Sequence, residues 1–578
     1  ADAVDAARKA VALDPYLSLA QTVLGFADLA QVDTAAAKAA FEKAIELDQA
    51  DYLPRLGLGL EKIREGDLQG GGREIEIAVS LAPNNSLVRS YLGKAYFEEK
   101  RTELTDREYA IAKELDPKDP TPWFYDAIQK QTTNRPVEAL RDIEKAIELN
   151  DNRVVYRSRL LLDSDLAARS ASLGRIYGDL GFQQLALVEG WKSVNTDPSN
   201  FSAHRFLADS YSILPRHEVA RVSELLQSQL LQPLNMTPIQ PRLAESNLLL
   251  VAAGGPAGLS FNEFNPLFNR NGITVQSSGV GGEHDTYAGE GVLSGIYQKA
   301  SFSLGGSHFH TDGFRTNSDQ QDSLANAFLQ FELSPQTSAQ FEYRFRDTKN
   351  GDLQLHFFAD DVLPNLRVTA QTNTYRAGVR HEFSPMSIVL ASLTYQTRDT
   401  HTHDSAPPDL ISLDIREPGL EGLSGELQHL FRSRYVNVTS GVGYFDLKRE
   451  QVADIEVPGD DLDIFSIVTR QDFSAKHTNV YLYSYLKILR DVTFTLGASG
   501  DLQSTNQANP KFGVTWNALR NTTLRAAAFR VFRRTLLTNQ TLEPTQVAGF
   551  NQFYDDIEST DSWHYAVAVD QKLSATLF

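Results

Sequence analysis

The residues of this chain that could do chemistry by type and spacing are few. His401-x-His403-Asp404 offers two imidazoles and a carboxylate at a spacing that can bind a metal ion. It runs into Pro407-Pro408-Asp409, so in sequence it reads as a long polar loop, and a solvated turn is the reading taken. Asp460, Asp461 and Asp463 could hold Ca²⁺, but no EF-hand spacing follows them. Gly70-Gly71-Gly72 is not followed by Lys-Ser/Thr, so it is no phosphate loop; it reads as an interruption of a helix. No Ser/His/Asp set or paired carboxylates stand out. The expectation is a protein that is not an enzyme, with no cofactor and no resident metal.

The elements that carry these residues fall into two halves of different period. In the first half, Leu13-Asp14-Pro15, Leu47-Asp48-Gln49, Leu81-Ala82-Pro83, Leu115-Asp116-Pro117 and Leu149-Asn150-Asp151 recur every 34 residues. Ala10, Ala44, Ala78, Ala112 and Ala146 keep the same phase, as do Phe41, Ile75, Tyr109 and Ile143. Gly25, Gly59, Gly93 and Ala127 mark one point on the first helix of each pair. Small residues there let two antiparallel helices approach, and the large residue fills the gap. A sixth unit runs from Leu173-Gly174 to Thr196-Asp197-Pro198, with an insertion inside 150–165, and a looser unit over 201–231 reads as a capping repeat.

These residues, with "AAFEKAIELD" (39–48) and "RDIEKAIELN" (141–150), closely resemble the tetratricopeptide repeat family. The resemblance covers roughly residues 1–230 and implies an α-solenoid that binds protein partners. Ala1 to Leu13 matches a second helix with no first, so the native chain is expected to begin earlier.

From about residue 272 the period becomes two. Tyr375, Ala377, Val379 and Phe383 alternate with Arg376, Arg380 and Glu382. Phe341, Tyr343 and Phe345 alternate with Glu342, Arg344 and Arg346, and Trp563, Tyr565, Val567 and Val569 with His564, Asp570 and Lys572. Similar runs cover 492–499 and 511–518. The strands are long, aromatics gather toward their ends, and short turns alternate with long polar connections at 348–373, 399–419, 450–475 and 534–561. A soluble sandwich alternates too but needs no such parity; the pattern predicts an antiparallel transmembrane β-barrel with fourteen strands visible. "DQKLSATLF" at 570–578 copies two internal turns, so the chain is expected to continue, with sixteen or more strands in all.

The expected organisation is therefore α + β and multidomain: a repeat solenoid over 1–231, a linker or partial plug over 232–271, and the barrel over 272–578. Charges opposite the lipid face must point into the lumen, which assigns Glu342, Arg344, Arg346, Arg376, Arg380, Glu382, Glu426, Lys511, Asp570 and Lys572 to its wall. They read as a salt-bridged wall or as the lining of a polar pore. The formal net charge of −19 argues against nucleic acid, and the absence of cysteine excludes disulfides and thiolate sites. No apolar run approaches the length of a transmembrane helix.

In domain order the chain is similar to the outer-membrane exopolysaccharide exporters for poly-N-acetylglucosamine and cellulose, and to the surface lipoprotein assembly modulators. "TLEPTQVAGFNQFYDD" (541–556) resembles late strands and loops of TonB-dependent receptors, although no plug domain precedes the strands. These resemblances imply the outer membrane of a Gram-negative bacterium, repeats in the periplasm, a periplasmic protein partner and outer-membrane lipid around the barrel. They imply an export channel for a hydrophilic polymer such as a polysaccharide. The alternatives are secretion or surface assembly of a peptide client, or a closed barrel that anchors a complex.

Overall fold

A computed structural model describes residues 2–153, 159–212, 214–235, 267–355, 358, 361–405, 412–458, 464–489, 491–502, 506–519 and 522–571. Among them, helices fill the chain to Leu231 and strands begin at Gly272. The helices form antiparallel pairs: α2 (Ser18–Ala30) with α3 (Thr34–Leu47), α4 (Tyr52–Glu65) with α5 (Leu68–Leu81), α6 (Ser86–Glu98) with α7 (Thr102–Leu115), and α8 (Pro120–Thr132) with α9 (Pro136–Glu148). After these come α10 (Arg159–Asp179) with α11 (Gln183–Thr196), and α12 (Phe201–Tyr211) with α13 (Glu218–Leu231); α1 (Asp2–Leu13) precedes them.

The repeated Asp at the helix ends has a local cause. Asp48, Asp116 and Asp197 each stop their helix in extended or near-extended backbone. Each carboxylate then accepts the N–H two residues on, from Ala50, Lys118 and Ser199, at 2.9, 3.1 and 2.9 Å. This side-chain turn competes with the next helical hydrogen bond and starts the connection. The repeated glycines act by close approach. A Cβ on Gly25, Gly59 or Gly93 would come within 2.6, 2.7 or 2.5 Å of Phe41, Ile75 or Tyr109. All three large side chains are fully buried.

Gly70–Gly72 do not interrupt a helix: α5 runs through them. Asp67 caps it by accepting from Gly70 N at 2.8 Å. A Cβ on Gly71 would stand 2.5 Å from the Gly59 carbonyl, so the glycine lets α4 and α5 touch backbone to backbone.

The second half is one antiparallel sheet of fourteen strands in chain order. They are β1 (Gly272–Gly282), β2 (Thr286–Tyr297), β3 (Ala300–Thr311), β4 (Gln320–Ser334), β5 (Thr337–Asn350), β6 (Leu366–Ser384), β7 (Ser387–Asp404), β8 (Ser412–Arg432), β9 (Val436–Pro458), β10 (Ile464–Leu489), β11 (Val492–Leu502), β12 (Gln507–Leu519), β13 (Thr522–Phe532) and β16 (Asp561–Gln571). The two short strands β14 (Gln546–Val547) and β15 (Phe550–Asn551) form a hairpin inside the β13–β16 loop. The fold is thus an α-helical repeat followed by a β-barrel-type sheet.

Several of the long polar connections are shorter than the sequence suggests. β8, β9 and β10 reach 21, 23 and 26 residues, taking in most of 399–419 and 450–475. Their outer ends mix apolar and polar residues on both faces, as at Ile467 and Val468, so no clean alternation marks them, while the backbone ladder continues.

Alternation over the rest sorts the two faces. Leu329, Phe341, Tyr375, Leu393, Leu427, Leu482, Phe512 and Val567 remain well exposed on the outer face. Tyr343, Tyr375 and Tyr395 lie in register across β5, β6 and β7, with ring centroids 5.0 and 6.4 Å apart. Beyond that row the same face turns polar, through Asp347, Gln371 and Asp399. An apolar belt of this extent is foreign to a water-facing surface.

Candidate functional site

The concave face of the sheet is filled by the last repeat. Every residue of α13 from Val219 to Leu231 is buried, which is the state of a helix enclosed on all sides rather than of a terminal cap. Leu226, Leu230 and Leu231 pack with Ile388, Leu390 and Leu430 of the sheet. The polar residues of the helix meet polar wall. Gln227 Nε2 donates to Gln428 Oε1 at 2.7 Å, and Gln340 Nε2 donates to the Gln229 carbonyl at 2.8 Å. Gln330 Nε2 donates to the Gln232 carbonyl at 2.9 Å, and a Cβ on Gly378 would stand 2.5 Å from Leu230. These contacts come from β4 to β8, five neighbouring strands that would span about 19 Å if flat, against a helix about 10–12 Å across. The sheet therefore curls around the helix.

The β13–β16 loop (533–560) closes on α13 from the opposite rim. His217 gives α13 no side-chain cap; Asp555 supplies it, accepting from the N–H of Glu218 and Val219 at 3.0 Å each. A carboxylate at a helix N-terminus satisfies orphan donors and the dipole together. Thr545 Oγ1 donates to Glu224, and Thr541 N donates to Ser223 Oγ at 3.2 Å. Behind this contact lies a buried network: Arg534 Nη1 to Glu543 Oε2 at 2.9 Å, Tyr483 OH to Glu543 Oε1 at 2.7 Å, and Arg534 to Asp501 at 3.6 Å. A void of about 30 Å³, lined by His204, Glu224, Gln227, Tyr485 and Glu543 among others, is left between helix, sheet and loop.

Two further joints tie the helices to the short-turn end of the sheet. Arg432 of β8 pairs with Asp197 at 2.5 Å, both buried. At the other, Arg64 Nη2 donates to the Gln298 carbonyl in the β2–β3 turn at 2.7 Å, and Asn271 N donates to the Arg64 carbonyl at 2.8 Å. Gly66 ends α4 with φ +104°, and a Cβ there would stand 2.8 Å from the Asn271 carbonyl, so glycine is required twice over.

Of the charges assigned to the wall, the nine described ones all have partners. Glu342 sits between Arg376 and Arg344 and accepts from Asn326 at 2.9 Å. Arg346 pairs with Asp322 at 2.7 Å and Arg380 with Glu382 at 2.6 Å. Glu426 accepts from Thr541 Oγ1 and Leu542 N at 2.8 and 2.9 Å. Lys511 donates to the Arg530 carbonyl at 2.5 Å, and Asp570 pairs with Arg525 at 2.7 Å. Lys572 lies outside the described residues. The described wall charges are engaged in ion pairs or hydrogen bonds, and Glu426 is occupied in holding the loop.

A second site is the groove of the repeats. Phe268 is buried there against Tyr91, ring centroids 6.5 Å apart, with Lys94 Nζ 4.3 Å from its ring centre. Lys94 also stands 4.4 Å from the Tyr125 ring of α8. Glu98 of α6 accepts from the N–H of Leu267 and Phe268 and pairs with Arg270 at 3.2 Å. Burial lifts the Glu98 carboxyl above its ordinary range even with Arg270 and two N–H groups upon it. The segment 267–271 is thus a peptide ligand of its own repeats. It belongs to the stretch read from sequence as linker or partial plug; residues 236–266 of that stretch lie outside the described residues.

His401 and His403 stand on β7, not on a loop. Their carboxylate neighbour is Asp414 of β8 rather than Asp404, with His401 Nε2 and His403 Nδ1 at 3.0 and 3.2 Å from Asp414 Oδ2. Asp460, Asp461 and Asp463 lie outside the described residues. Sequence reasoning placed α13 in a capping repeat and 534–561 in a polar connection but missed that the two meet inside the sheet, and it did not single out Phe268. The one signal for the first was the run of Gln227, Gln229 and Gln232 beside lumen glutamines at 330, 340 and 428.

Neither a protein-family model nor a curated protein matches the sequence. Solved structures do. The ferric yersiniabactin uptake receptor FyuA from Yersinia pestis matches at 10% identity over 53% of this chain and 52% of that one, TM-score 0.40. The ferripyoverdine receptor of the outer membrane of Pseudomonas aeruginosa matches at 14% identity over 46% and 43%, TM-score 0.36. Pseudomonas aeruginosa PilF matches at 18% identity over 40% of this chain and 94% of its own, TM-score 0.31. The chain spans about half the length of these receptors. All three scores lie under 0.5, and the fold rests on the helices and strands described above.

Proposed function

We propose that this chain is an outer-membrane protein whose barrel, sealed by its own last repeat, holds a protein-binding repeat array at the periplasmic face. One observation carries the reading: α13 and the β13–β16 loop meet inside the sheet and leave a void of about 30 Å³. An outer apolar belt with an aromatic row supports membrane insertion. The short turns lie on the side of the helices, as periplasmic turns do. Two joints, Asp197–Arg432 and Arg64–Gln298, hold the array against the barrel rim, which suits a platform for a periplasmic protein partner.

The test is conductance of the purified chain in planar bilayers. A sealed anchor passes no steady current. A stable open pore in the unaltered protein sinks the reading.

A second reading, an export channel for a hydrophilic polymer, is favoured by the polar character of the seal. Gln227–Gln428 and Gln340–Gln229 are hydrogen bonds that water can replace, which lowers the cost of withdrawing the helix from the polar part of the wall. The chain has no cysteine, so Gln227→Cys with Gln428→Cys gives one thiol pair, which a short bifunctional thiol crosslinker can bridge. If locking α13 abolishes surface delivery of a polymer in cells, the seal is a gate; if partner capture persists and nothing else changes, it is an anchor.

A further inference from the structure

We propose that His401, His403 and Asp414 form a binding site for a late first-row divalent metal ion, Zn²⁺, Cu²⁺ or Ni²⁺, at the end of the sheet remote from the repeats. Residues two apart on a strand share a face, so His401 and His403 point the same way. Antiparallel register sets His403 opposite Asp414 and His401 opposite Arg416. Three side chains from two neighbouring strands therefore converge near the end of the β7–β8 ladder.

The distances suit coordination. Ligand atoms about 2.0–2.1 Å from a tetrahedral ion stand about 3.3–3.4 Å from one another. The two imidazole nitrogens already stand 3.0 and 3.2 Å from the same carboxylate oxygen, and all three donor atoms lie within 4.8 Å of each other. A small rotation of either ring brings the two nitrogens onto one ion. Two imidazoles and one carboxylate select Zn²⁺, Cu²⁺ or Ni²⁺ over Ca²⁺ and Mg²⁺, which prefer oxygen. Three protein ligands leave a coordination position open. Beside it lies an outward, open concavity of about 540 Å³, lined by His401, Asp399, Gln371 and Asp347 among others, with room for water or a partner's ligand.

The surrounding charges set how tightly the ion is held. Arg416 donates to Asp414 Oδ1 at 2.9 Å and to Oδ2 at 3.4 Å, which orients the carboxylate but also competes for its negative charge. Asp454 lies opposite Asp414 on β9 and adds negative potential on the other side. A second cluster, Asp285, His310 and Asp312, brings one imidazole and two exposed carboxylates at 3.5 and 3.6 Å, and serves as an internal control.

The experiment is calorimetric titration of the full chain in detergent with Zn²⁺ alone, alongside the Cu²⁺ electron paramagnetic resonance spectrum. One ion per chain is expected, with nitrogen hyperfine structure from two imidazoles. Loss of even an outer partner of a metal ligand costs on the order of tenfold in affinity, so His401→Asn, His403→Asn and Asp414→Asn should each lose more than that. His310→Asn should leave binding unchanged. Arg416→Gln should tighten it, a gain that no misfolded variant would give. The proposal is overturned if Zn²⁺ does not bind, if binding survives His401→Asn with His403→Asn, or if His310→Asn removes it.

Discussion

Asp197 ends the sixth repeat unit and Arg432 ends β8, and the two meet as a buried ion pair 2.5 Å apart. The same carboxylate accepts from Ser199 N at 2.9 Å and from Ser164 Oγ at 2.5 Å. A residue that elsewhere in the array only turns the chain therefore also fastens the array to the barrel. Among the described residues, Asp48 and Asp116, in the equivalent turns, are exposed and make no ion pair with the sheet.

Removing one side of that pair leaves a buried charge without compensation. Arg432→Met should cost about 3–5 kcal/mol of the docking of α11–α13. Arg432→Met with Asp197→Asn should recover much of the loss, because both charges go together. Thermal denaturation with limited proteolysis of the helices reads both. Equal losses in the single and double variants would show that the pair does not hold the joint.

The seal can be wedged open from the wall. Gly378 of β6 faces Leu230, and a side chain there enters the space of the helix. Gly378→Leu should displace α13, raise its protease sensitivity and admit current in planar bilayers. Gly291, whose Cβ would meet nothing within 4 Å, is the control: Gly291→Leu should do neither.

The two periods were legible because each is set by one repeated contact. Phe41 against Gly25 and Tyr109 against Gly93 recur every 34 residues, and apolar side chains face one way along each strand. The rest depended on pairings that spacing does not encode. β8 to β10 extend where apolar and polar residues are mixed on both faces, as at Ile467 and Val468, so the ladder leaves no clean period of two. α13 carries Arg221, Glu224, Gln227 and Gln229 around its circumference and so reads as a solvated cap, yet its partners are glutamines of the sheet. Asp414 is chosen by register across two strands, not by nearness to His403 in sequence.

The groove of the repeats should accept the cis segment in trans once it is vacated. Phe268→Ala removes the ring between Tyr91 and Lys94 and should free residues 267–271. A labelled peptide of sequence Leu-Phe-Asn-Arg-Asn should then bind the variant and not the parent chain, by fluorescence anisotropy. Adding Lys94→Met should weaken that binding, since a desolvated cation over an aromatic ring contributes about 2 kcal/mol. Equal binding to parent and variant would mean that the segment does not occupy the groove.

His204 makes the docking of the last repeat dependent on pH. Its ring is buried, with Nδ1 2.5 Å from Glu224 Oε2 and Nε2 2.9 Å from the Pro198 carbonyl. Burial works against the imidazolium, but the Glu224 charge and hydrogen bond, the Pro198 carbonyl and Asp197 outweigh it and raise the pKa above its ordinary value. Both acceptors are satisfied by a doubly protonated ring. A raised pKa means that the folded state binds the proton more tightly. The stabilisation is full below the unfolded value of about 6.5 and is lost as pH rises through the folded value. The thermal midpoint should therefore fall between pH 6 and pH 9 in the parent chain, more than in His204→Gln, which should already be less stable at pH 6. Parallel profiles for the two proteins would remove His204 from the account.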